Sequence, residues 1–381
     1  MESLDEIISR LKEWYSRTPK HFEGTILGSM TTWPHPIGVY AYQLFIHING
    51  NDPVLFPIVQ ELEKELLAMI GSLYGSRYGL FTSGGTESNI LALFVARRVS
   101  RGKNNVVVAP STVHASIDKA CQLMGTRLVK IPVNPLSPVD PDILEKYVRE
   151  YNPFAVVVTA GTTETGVVDR VKDVSEIALK HDVYLHVDAA FGGLLIPFLH
   201  KHGVIDTDLT FYPGVSSISV DLHKNGRAPI PSSLLFFRSE TYVDKACFEM
   251  NYLPSGVNCG LLGTRPGASL VASWAVVKAI GLEGYEKQAL AQQDTALYLF
   301  KELDNREFIE VFKPVLPIVA WRSKLYDYEV MIKKLFNEGI FLYKSPSLKA
   351  ARVVVMPHVT RENIDALLKA LDKIHSGSGY D

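Results

Sequence analysis

The chain has 381 residues, of which 47% are hydrophobic, and its formal net charge is −2. A chain of this length and composition can bury a large core, and more than one domain is expected. It has neither a block of basic residues nor an acidic tail, so the sequence favours neither a nucleic-acid-binding protein nor a polybasic membrane anchor.

The start of the chain and its cysteines indicate the compartment. Residues 1–6 are acidic and polar, unlike a secretory signal, and the longest uncharged apolar stretch, 189–199, is too short to span a bilayer. Cys121, Cys247 and Cys259 show neither a CxxC motif nor a metal-ligand spacing. We therefore expect no metal site, buried or free thiols in a reducing cytosol, and a cytoplasmic protein without membrane contact.

Hydrophobic periodicity predicts two helices and then an alternation of strands and helices. Helical spacing covers 3–16 and 57–73, and an irregular, proline-containing segment, 28–36, lies between them. From about residue 79, short apolar runs alternate with helical patterns such as 141–150 and 172–180. The expected strands lie at 106–108, 128–131, 155–158, 183–187, 216–220 and 234–237. Such strands, separated by helices, predict a largely parallel sheet that is buried on both faces.

The C-terminal part of the chain predicts a second, smaller unit. A pair of long helices, about 267–280 and 285–303, is followed by the order strand, strand, helix, strand, strand, helix, beginning near Phe308. We therefore expect three parts. They are an N-terminal segment, residues 1–55; a large domain, residues 56–304; and a small C-terminal α/β domain, residues 305–381.

Two strand-like runs end in residues that could carry chemistry. One run, 219–224, ends in His-Lys, and the other, 184–190, ends in Asp-Ala-Ala. The amine of Lys224 could form a Schiff base with pyridoxal phosphate (PLP), and the carboxylate of Asp188 could pair with its pyridinium nitrogen. Each residue alone also has an ordinary explanation, because a lysine there is usually a solvated strand end and an aspartate is usually a cap or turn residue.

A candidate phosphate loop, residues 82–89, precedes a helix expected to run to about Arg98. Its small and hydroxyl residues would expose backbone N–H groups at the helix start, where the helix dipole attracts an anion. A glycine turn with a Ser/Thr cap and Glu87 in a capping box would explain the same residues. We find neither a P-loop nor a GxGxxG motif, which argues against nucleotide hydrolysis and nicotinamide binding.

Two further segments follow strands. His114 could stack on a planar cofactor, although a histidine satisfied within a turn is the commoner case. Residues 161–166 place the hydroxyl of Thr163 and its neighbours at the carboxyl end of a strand, where open α/β sheets bind ligands. A polar loop without a ligand is the alternative for this segment.

In this order, the segments resemble the group II PLP-dependent amino-acid decarboxylases of fold type I. The archaeal tyrosine/aspartate decarboxylase branch is the most similar, and the resemblance runs along the whole chain. It includes residues 28–30, 34–36, 161–164, 186–193, 263–265 and 352–358. The resemblance implies an α/β fold of the aspartate-aminotransferase type, with a large, mostly parallel sheet domain and a small C-terminal α/β domain.

The resemblance also implies which residues bind PLP. Lys224 would hold the cofactor, Asp188 would bind its ring nitrogen, and His114 and Ala190 would pack on the two ring faces. The glycine loop would bind the phosphate, and Thr264 from the partner subunit would complete that site in a homodimer. The implied cofactor residues are Gly85, Thr86, His114, Thr163, Asp188, Ala190, Ser219, His223, Lys224 and Thr264.

For the reaction, the resemblance implies decarboxylation of an L-amino acid through an external aldimine and a quinonoid. Arg352 would receive the substrate carboxylate, a task suited to a bidentate guanidinium. His35 would line the substrate pocket, and Tyr252 would deliver a proton to the carbanion. The leading substrates are L-aspartate, giving β-alanine for coenzyme A, and L-tyrosine, giving tyramine for methanofuran. Glutamate decarboxylation, another carbon–carbon lyase activity and an inactive PLP-binding protein are the alternatives.

The sequence departs from the family near the lysine. Leu222 and Asn225 stand where the family commonly has proline and methionine, and residues 232–235 replace its small residues. These changes leave Lys224 untouched but alter the wall near the cofactor. The resemblance therefore predicts the chemistry more firmly than the substrate.

Overall fold

The computed structural model describes residues 2–376. Met1 and residues 377–381, the outermost parts of the expected N-terminal segment and small domain, lie outside the described residues. The α-helices are α1 (Leu4–Arg17), α2 (Pro36–Leu44), α3 (Pro57–Gly71), α4 (Gly85–Val99), α5 (Ala115–Leu123), α6 (Pro141–Tyr151), α7 (Val171–Lys180), α8 (Ile196–Lys201), α9 (Glu240–Asp244), α10 (Gly267–Asp304), α11 (Tyr328–Asn337) and α12 (Arg361–Ser376).

The strands form a large sheet, a small sheet and a hairpin. They are β1 (Tyr78–Thr82), β2 (Asn104–Pro110), β3 (Arg127–Ile131), β4 (Pro153–Thr159), β5 (Tyr184–Asp188), β6 (Val215–Asp221), β7 (Ser233–Phe237), β8 (Cys247–Glu249), β9 (Val257–Cys259), β10 (Ile309–Val311), β11 (Ile318–Ser323), β12 (Tyr343–Ser345) and β13 (Ala350–Val354). All six strands expected from the apolar runs are present, with ends that differ by a few residues from the expected ones.

The large sheet has the order β1-β7-β6-β5-β4-β2-β3. Strands β2 to β6 pair in parallel, whereas β7 and β1 add antiparallel strands at one edge. Alternate residues of β4 enter two separate cores, Val156 and Val158 in one and Ala155 and Val157 in the other. Helices therefore cover both faces, which confirms the prediction of a mostly parallel, doubly buried sheet.

The small sheet has the order β10-β11-β13-β12 and is antiparallel throughout. With α11 and α12 it follows the predicted order of strands and helices. The N-terminal segment joins this sheet, because Leu27 N–H donates to Phe341 O at 3.0 Å and Val354 N–H donates to Leu27 O at 2.8 Å. The chain before α2 thus reaches the C-terminal part of the fold.

The expected pair of long helices is one kinked element, α10. Its backbone departs from helical geometry at Gly281, where φ is 65° and ψ is 167°. Glycine adopts this left-handed region without the steric penalty of a side chain. The bend occurs at the break that the periodicity placed between 280 and 285.

The expectation of three unpaired thiols is wrong for two cysteines. Strands β8 and β9 form a hairpin that the periodicity did not predict, and its register places Cys247 opposite Cys259. The two residues form a disulfide, whereas Cys121 is buried and unpaired, as expected. The pairing follows from the strand register, which the spacing of the cysteines in the sequence does not reveal. Within residues 2–376 no helix combines the length and hydrophobicity needed to cross a bilayer.

Candidate active site

A cavity of about 320 Å³ opens where β4, β5 and β6 end and where α4 and α5 begin. Ligands of open α/β sheets bind at this edge, and the volume suits a small molecule. Many of the residues expected to bind the cofactor line the cavity together. They are Gly85, Thr86, His114, Thr163, Asp188, Ala190, His223 and Lys224.

Lys224 lies just beyond the end of β6, and its Nζ is 2.9 Å from Oδ2 of Asp221. Burial raises the pKa of Asp221, but the charges of Lys224 and His223 outweigh it, so the pKa lies below its usual value. Sequence reasoning did not assign Asp221 a role. Its position in the same run, three residues before the lysine, was the available signal.

His223 is the second neighbour of Asp221. Its Nδ1 accepts a hydrogen bond from Ser232 N–H at 3.2 Å, and its Nε2 lies 3.6 Å from Asp221 Oδ2. Burial is the largest influence and lowers the pKa of His223, although Asp221 opposes this. Because Nδ1 accepts, a neutral ring carries its proton on Nε2, the nitrogen nearer Asp221.

Asp188 ends β5 with its carboxylate held by several donors. Oδ2 accepts from Asn89 Nδ2 at 2.7 Å, and Oδ1 accepts from Ala190 N–H at 3.1 Å and Ser219 Oγ at 3.4 Å. Ser219 is fully buried behind the carboxylate and does not line the cavity. In the structure Ser219 therefore supports Asp188.

His114 caps the N-terminus of α5 and lines the cavity. Its Nδ1 accepts from the N–H of Ser116 at 3.2 Å and lies 2.9 Å from Ser116 Oγ. A backbone N–H can only donate, so Nδ1 is an acceptor and a neutral ring carries its proton on Nε2. The strand-to-helix turn thus sets the orientation of the imidazole.

The start of α4 is a candidate anion site, and Glu87 in its first turn accepts hydrogen bonds from two neighbouring loops. Ser83 N–H donates to Glu87 Oε2 at 2.7 Å, and the other oxygen of Glu87 accepts from Leu261 N–H at 3.2 Å. A Cβ added to Gly85 would lie 3.0 Å from Asp221 Oδ1 and 3.2 Å from Ala190 Cβ, so a side chain here would crowd both neighbours. The Ser/Thr cap expected as the alternative is not formed, because Gly84 is the N-cap residue and no side chain caps it. Glu87 instead accepts from the residue before the N-cap, so its contacts are not those of a capping box.

Arg352 lies in β13, and its side chain is buried with 7% exposure. Among residues 2–376 its Nε and Nη1 have no hydrogen-bond partner. Burial lowers the pKa of Arg352, whereas Glu164 and Tyr343 raise it. A guanidinium with free donors in a buried position requires an anionic partner, which is the property expected of a carboxylate receptor.

Glu164 connects the loop after β4 to the small sheet. Its Oε2 accepts from Ser345 Oγ at 2.7 Å and from Ser347 N–H at 3.1 Å. The same loop contributes Thr163 to the cavity. Glu164 thus holds the Arg352-bearing sheet against the edge of the site, and its acidic side chain is the charge that favours protonated Arg352.

Five expected site residues do not line the cavity within one chain: Ser219 and Arg352, described above, and three others. Tyr252 lies between β8 and β9 with 78% exposure, and its hydroxyl lies 3.1 Å from Met250 Sδ. Thr264 is exposed just before α10. His35 caps α2 and lines a second cavity with Arg227, whose charge adds to burial in lowering the pKa of His35.

The donor set fits PLP on the observations above. One cavity holds a lysine amine for an aldehyde, an aspartate for a pyridinium nitrogen, a histidine for a ring face and a helix N-terminus for a phosphate. Sequence reasoning assigned no role to Asn89 or Ser116, although Asn89 is the last residue of the candidate phosphate loop, 82–89. Their contacts join segments far apart in sequence, which no local pattern indicates.

Comparison with known proteins agrees with this reading. The profile described as "Pyridoxal-dependent decarboxylase conserved domain" matches residues 44–324. The chain is 34% identical to the L-tyrosine/L-aspartate decarboxylase of Methanocaldococcus jannaschii, covering 98% of this chain and 97% of that protein. It is 39% identical to the probable L-tyrosine/L-aspartate decarboxylase of Methanothermobacter thermautotrophicus, covering 92% and 97%. A solved sphingosine-1-phosphate lyase from Burkholderia pseudomallei has a TM-score of 0.88 and 26% identity, covering 98% and 91%. The expected fold class is confirmed.

Proposed function

Because the chain belongs to the family of pyridoxal-dependent decarboxylases, we propose that it removes the α-carboxylate of L-aspartate or L-tyrosine as CO2. One observation carries the proposal: Lys224, Asp188 and the start of α4 surround a single cavity. The names of the archaeal relatives supply the two substrates. The product would be β-alanine, a precursor of coenzyme A, or tyramine, a precursor of methanofuran.

Different cavity residues would bind different parts of PLP. Lys224 would bind the cofactor covalently through its amine, Asp188 would pair with the ring nitrogen, and His114 would cover one ring face. Gly85 and Thr86 would donate backbone N–H groups to the phosphate. Bound PLP supplies an electron sink for the electrons left when the substrate loses CO2. Thr163, Ala190 and His223 would complete the lining.

The substrate would be oriented from the small sheet. Arg352 has free donors in a buried position and would pair with a substrate carboxylate, while Glu164 keeps its sheet in place. Orientation decides which bond at the α-carbon is broken, so the arginine controls the reaction outcome. Tyr252 would donate the proton to the α-carbon, and His35 would contact the substrate side chain.

We also propose a homodimer in which the site is shared. The N-terminal segment exposes many large apolar side chains, among them Leu4 at 71% and Leu55 at 70%, and α1 buries no residue. Apolar surface concentrated in this way marks an interface. A second copy would cover it and bring Thr264 and Tyr252, which do not line the cavity of their own chain, to the neighbouring site.

The oligomeric state can be tested by sedimentation. Leu11→Glu with Trp14→Glu should yield monomers that hold PLP weakly, because both side chains are exposed on α1. Leu325→Glu, an exposed position in the small C-terminal part, is the matched control and should stay dimeric. A wild-type monomer with full activity would contradict the shared site.

The decisive experiment for function is CO2 release from each common amino acid, with PLP added to the full chain. Release from aspartate or tyrosine is expected, together with a visible absorbance change on PLP uptake. Lys224→Ala should lose turnover, whereas Lys301→Ala, an exposed lysine on α10, should retain it. Failure to bind PLP, or absence of CO2 from every amino acid, would refute the proposal.

A second candidate is a carbon–carbon lyase of the same fold. The likeness to sphingosine-1-phosphate lyase favours it. Aldehyde formed from a phosphorylated amino alcohol, without CO2 from any amino acid, would support this activity. We further propose the division into residues 1–55, 56–304 and 305–381, and action in the cytoplasm.

A further inference from the structure

We infer that Asn89 is a positioning residue that couples two cofactor-facing side chains, Asp188 and His114. The inference rests on the proposed function. Asn89 lies on α4, four residues after Gly85, so both residues share one face of the helix. The side chain of Asn89 therefore extends beneath the candidate phosphate site, toward the end of β5.

The amide of Asn89 uses its full hydrogen-bonding capacity. Nδ2 donates to Asp188 Oδ2 at 2.7 Å and to Ser116 Oγ at 2.8 Å. Oδ1 accepts from His186 Nε2 at 2.8 Å, and it shares the single hydroxyl proton of Ser219, 3.2 Å away, with Asp188 Oδ1 at 3.4 Å. A primary amide has two N–H donors and two lone pairs, so the group has no freedom to rotate without losing a bond.

The first arm of this arrangement orients the carboxylate. A carboxylate oxygen can only accept, so Nδ2 must face Asp188, and Oδ1 must then face His186. His186 accordingly carries its proton on Nε2, and its Nδ1 accepts from Ser217 Oγ at 2.8 Å. Burial lowers the pKa of His186 to about 4, although Asp188 opposes this, so the ring is neutral at neutral pH.

The second set of contacts connects Asn89 through Ser116 to the imidazole of His114, which lines the cavity. Ser116 Oγ accepts from Asn89 and is 2.9 Å from His114 Nδ1. Because Nδ1 already accepts from the Ser116 N–H, the hydroxyl donates to it as well. Movement of the Asn89 amide would therefore displace the carboxylate of Asp188 and the imidazole of His114 together.

Such coupling has a chemical purpose beyond burial of a polar group. Asp188 and His114 would contact the edge and the face of one cofactor ring, so Asn89 would fix the relative position of these two contacts. Small displacements of positioning groups reduce the rate strongly. Asn89 would thus hold both residues in the arrangement that favours cofactor binding and loss of CO2.

The test compares Asn89→Asp, Asn89→Ala and Ser116→Ala in the full chain, with PLP as the ligand. Asn89→Asp keeps the shape but removes both donors and sets a carboxyl against Asp188. Loss of a hydrogen bond to a charged group should raise the PLP dissociation constant about 10- to 100-fold in both Asn89 variants. The visible circular dichroism of bound PLP should fall at saturation, and activity lost during turnover should return on adding PLP.

The matched controls separate positioning from stability. Gln293→Leu removes another buried amide, that of Gln293 on α10, which donates to Val315 O at 3.1 Å. This variant should keep wild-type PLP affinity and dichroism. Ser116→Ala breaks only the arm to His114 and should change the dichroism with a smaller loss of affinity. If the Asn89 variants fail to fold, the Ser116→Ala variant tests the inference alone. Dichroism of its bound PLP that equals the wild-type value would overturn the coupling between Asp188 and His114.

Wild-type PLP affinity and dichroism in both Asn89 variants would also overturn the inference. This outcome differs from failure of the proposed function, in which the wild-type chain itself would neither bind PLP nor release CO2.

Discussion

Replacement of Arg352 by methionine should make the protein more stable and much less active. Arg352 is 7% exposed, and its Nε and Nη1 have no partner within residues 2–376. In the substrate-free protein the side chain therefore carries a desolvation penalty. Methionine has a similar length and no polar donor, so Arg352→Met removes the penalty and the carboxylate receptor together.

The sizes of both effects, on stability and on kcat/KM, follow from the same unpartnered donors of Arg352. An unsatisfied buried polar group costs about 1–3 kcal/mol, and the lost attraction to Glu164 offsets part of it. We expect the free energy of unfolding to rise by about 1–2 kcal/mol. Two charge-assisted hydrogen bonds to a substrate carboxylate contribute about 3–4 kcal/mol, so kcat/KM should fall about 100- to 1,000-fold.

The assays are urea denaturation and initial rates of CO2 release with the preferred amino acid. Arg322→Met is the matched control, because Arg322 lies on the adjacent strand β11 in an exposed ion pair with Glu310 at 2.8 Å. Surface pairs contribute little, so this variant should keep wild-type kcat/KM. A value for Arg352→Met within threefold of wild type would exclude Arg352 as the carboxylate receptor.

Four further predictions concern other parts of the structure. Thr264→Ala should release PLP faster on dialysis, and unchanged retention would count against a site shared between subunits. Tyr252→Phe should lower kcat about 100-fold or more without changing PLP affinity; an unchanged kcat would exclude this phenol as the proton donor. Burial raises the pKa of Asp169 to about 6, above the ordinary 3.8. The unfolded chain therefore loses this proton first as pH rises, and stability falls by about 2 kcal/mol between pH 4 and pH 6. Asp169→Asn should remove that loss in urea denaturation at the two pH values, and an unaltered pH profile would contradict the assignment. Reduction of the Cys247–Cys259 disulfide should accelerate proteolysis between residues 250 and 256, and an equal rate would show that other contacts hold the hairpin.

Local patterns were sufficient for the strands and for much of the site. Continuous apolar runs mark strands buried on both faces, and the C-terminal order of elements was predicted for the same reason. The carboxyl ends of parallel strands meet at one sheet edge, so Asp188 and Lys224 lie together once the sheet is parallel. The hairpin of Cys247 and Cys259 was missed because its strands are short and partly exposed.

The sequence by itself determined where strands end, where helices begin and which residue types stand at those points. It could not determine the contacts of Asn89. This residue bonds to Asp188, which lies 99 residues after it in the chain, and through Ser116 it is connected to His114. It also could not show that Nε and Nη1 of Arg352 have no hydrogen-bond partner among residues 2–376, or that Ser219 supports Asp188. Periodicity reports the local backbone and the buried face of each segment. Partners across the fold depend on the packing of segments far apart in sequence, which only the tertiary structure decides.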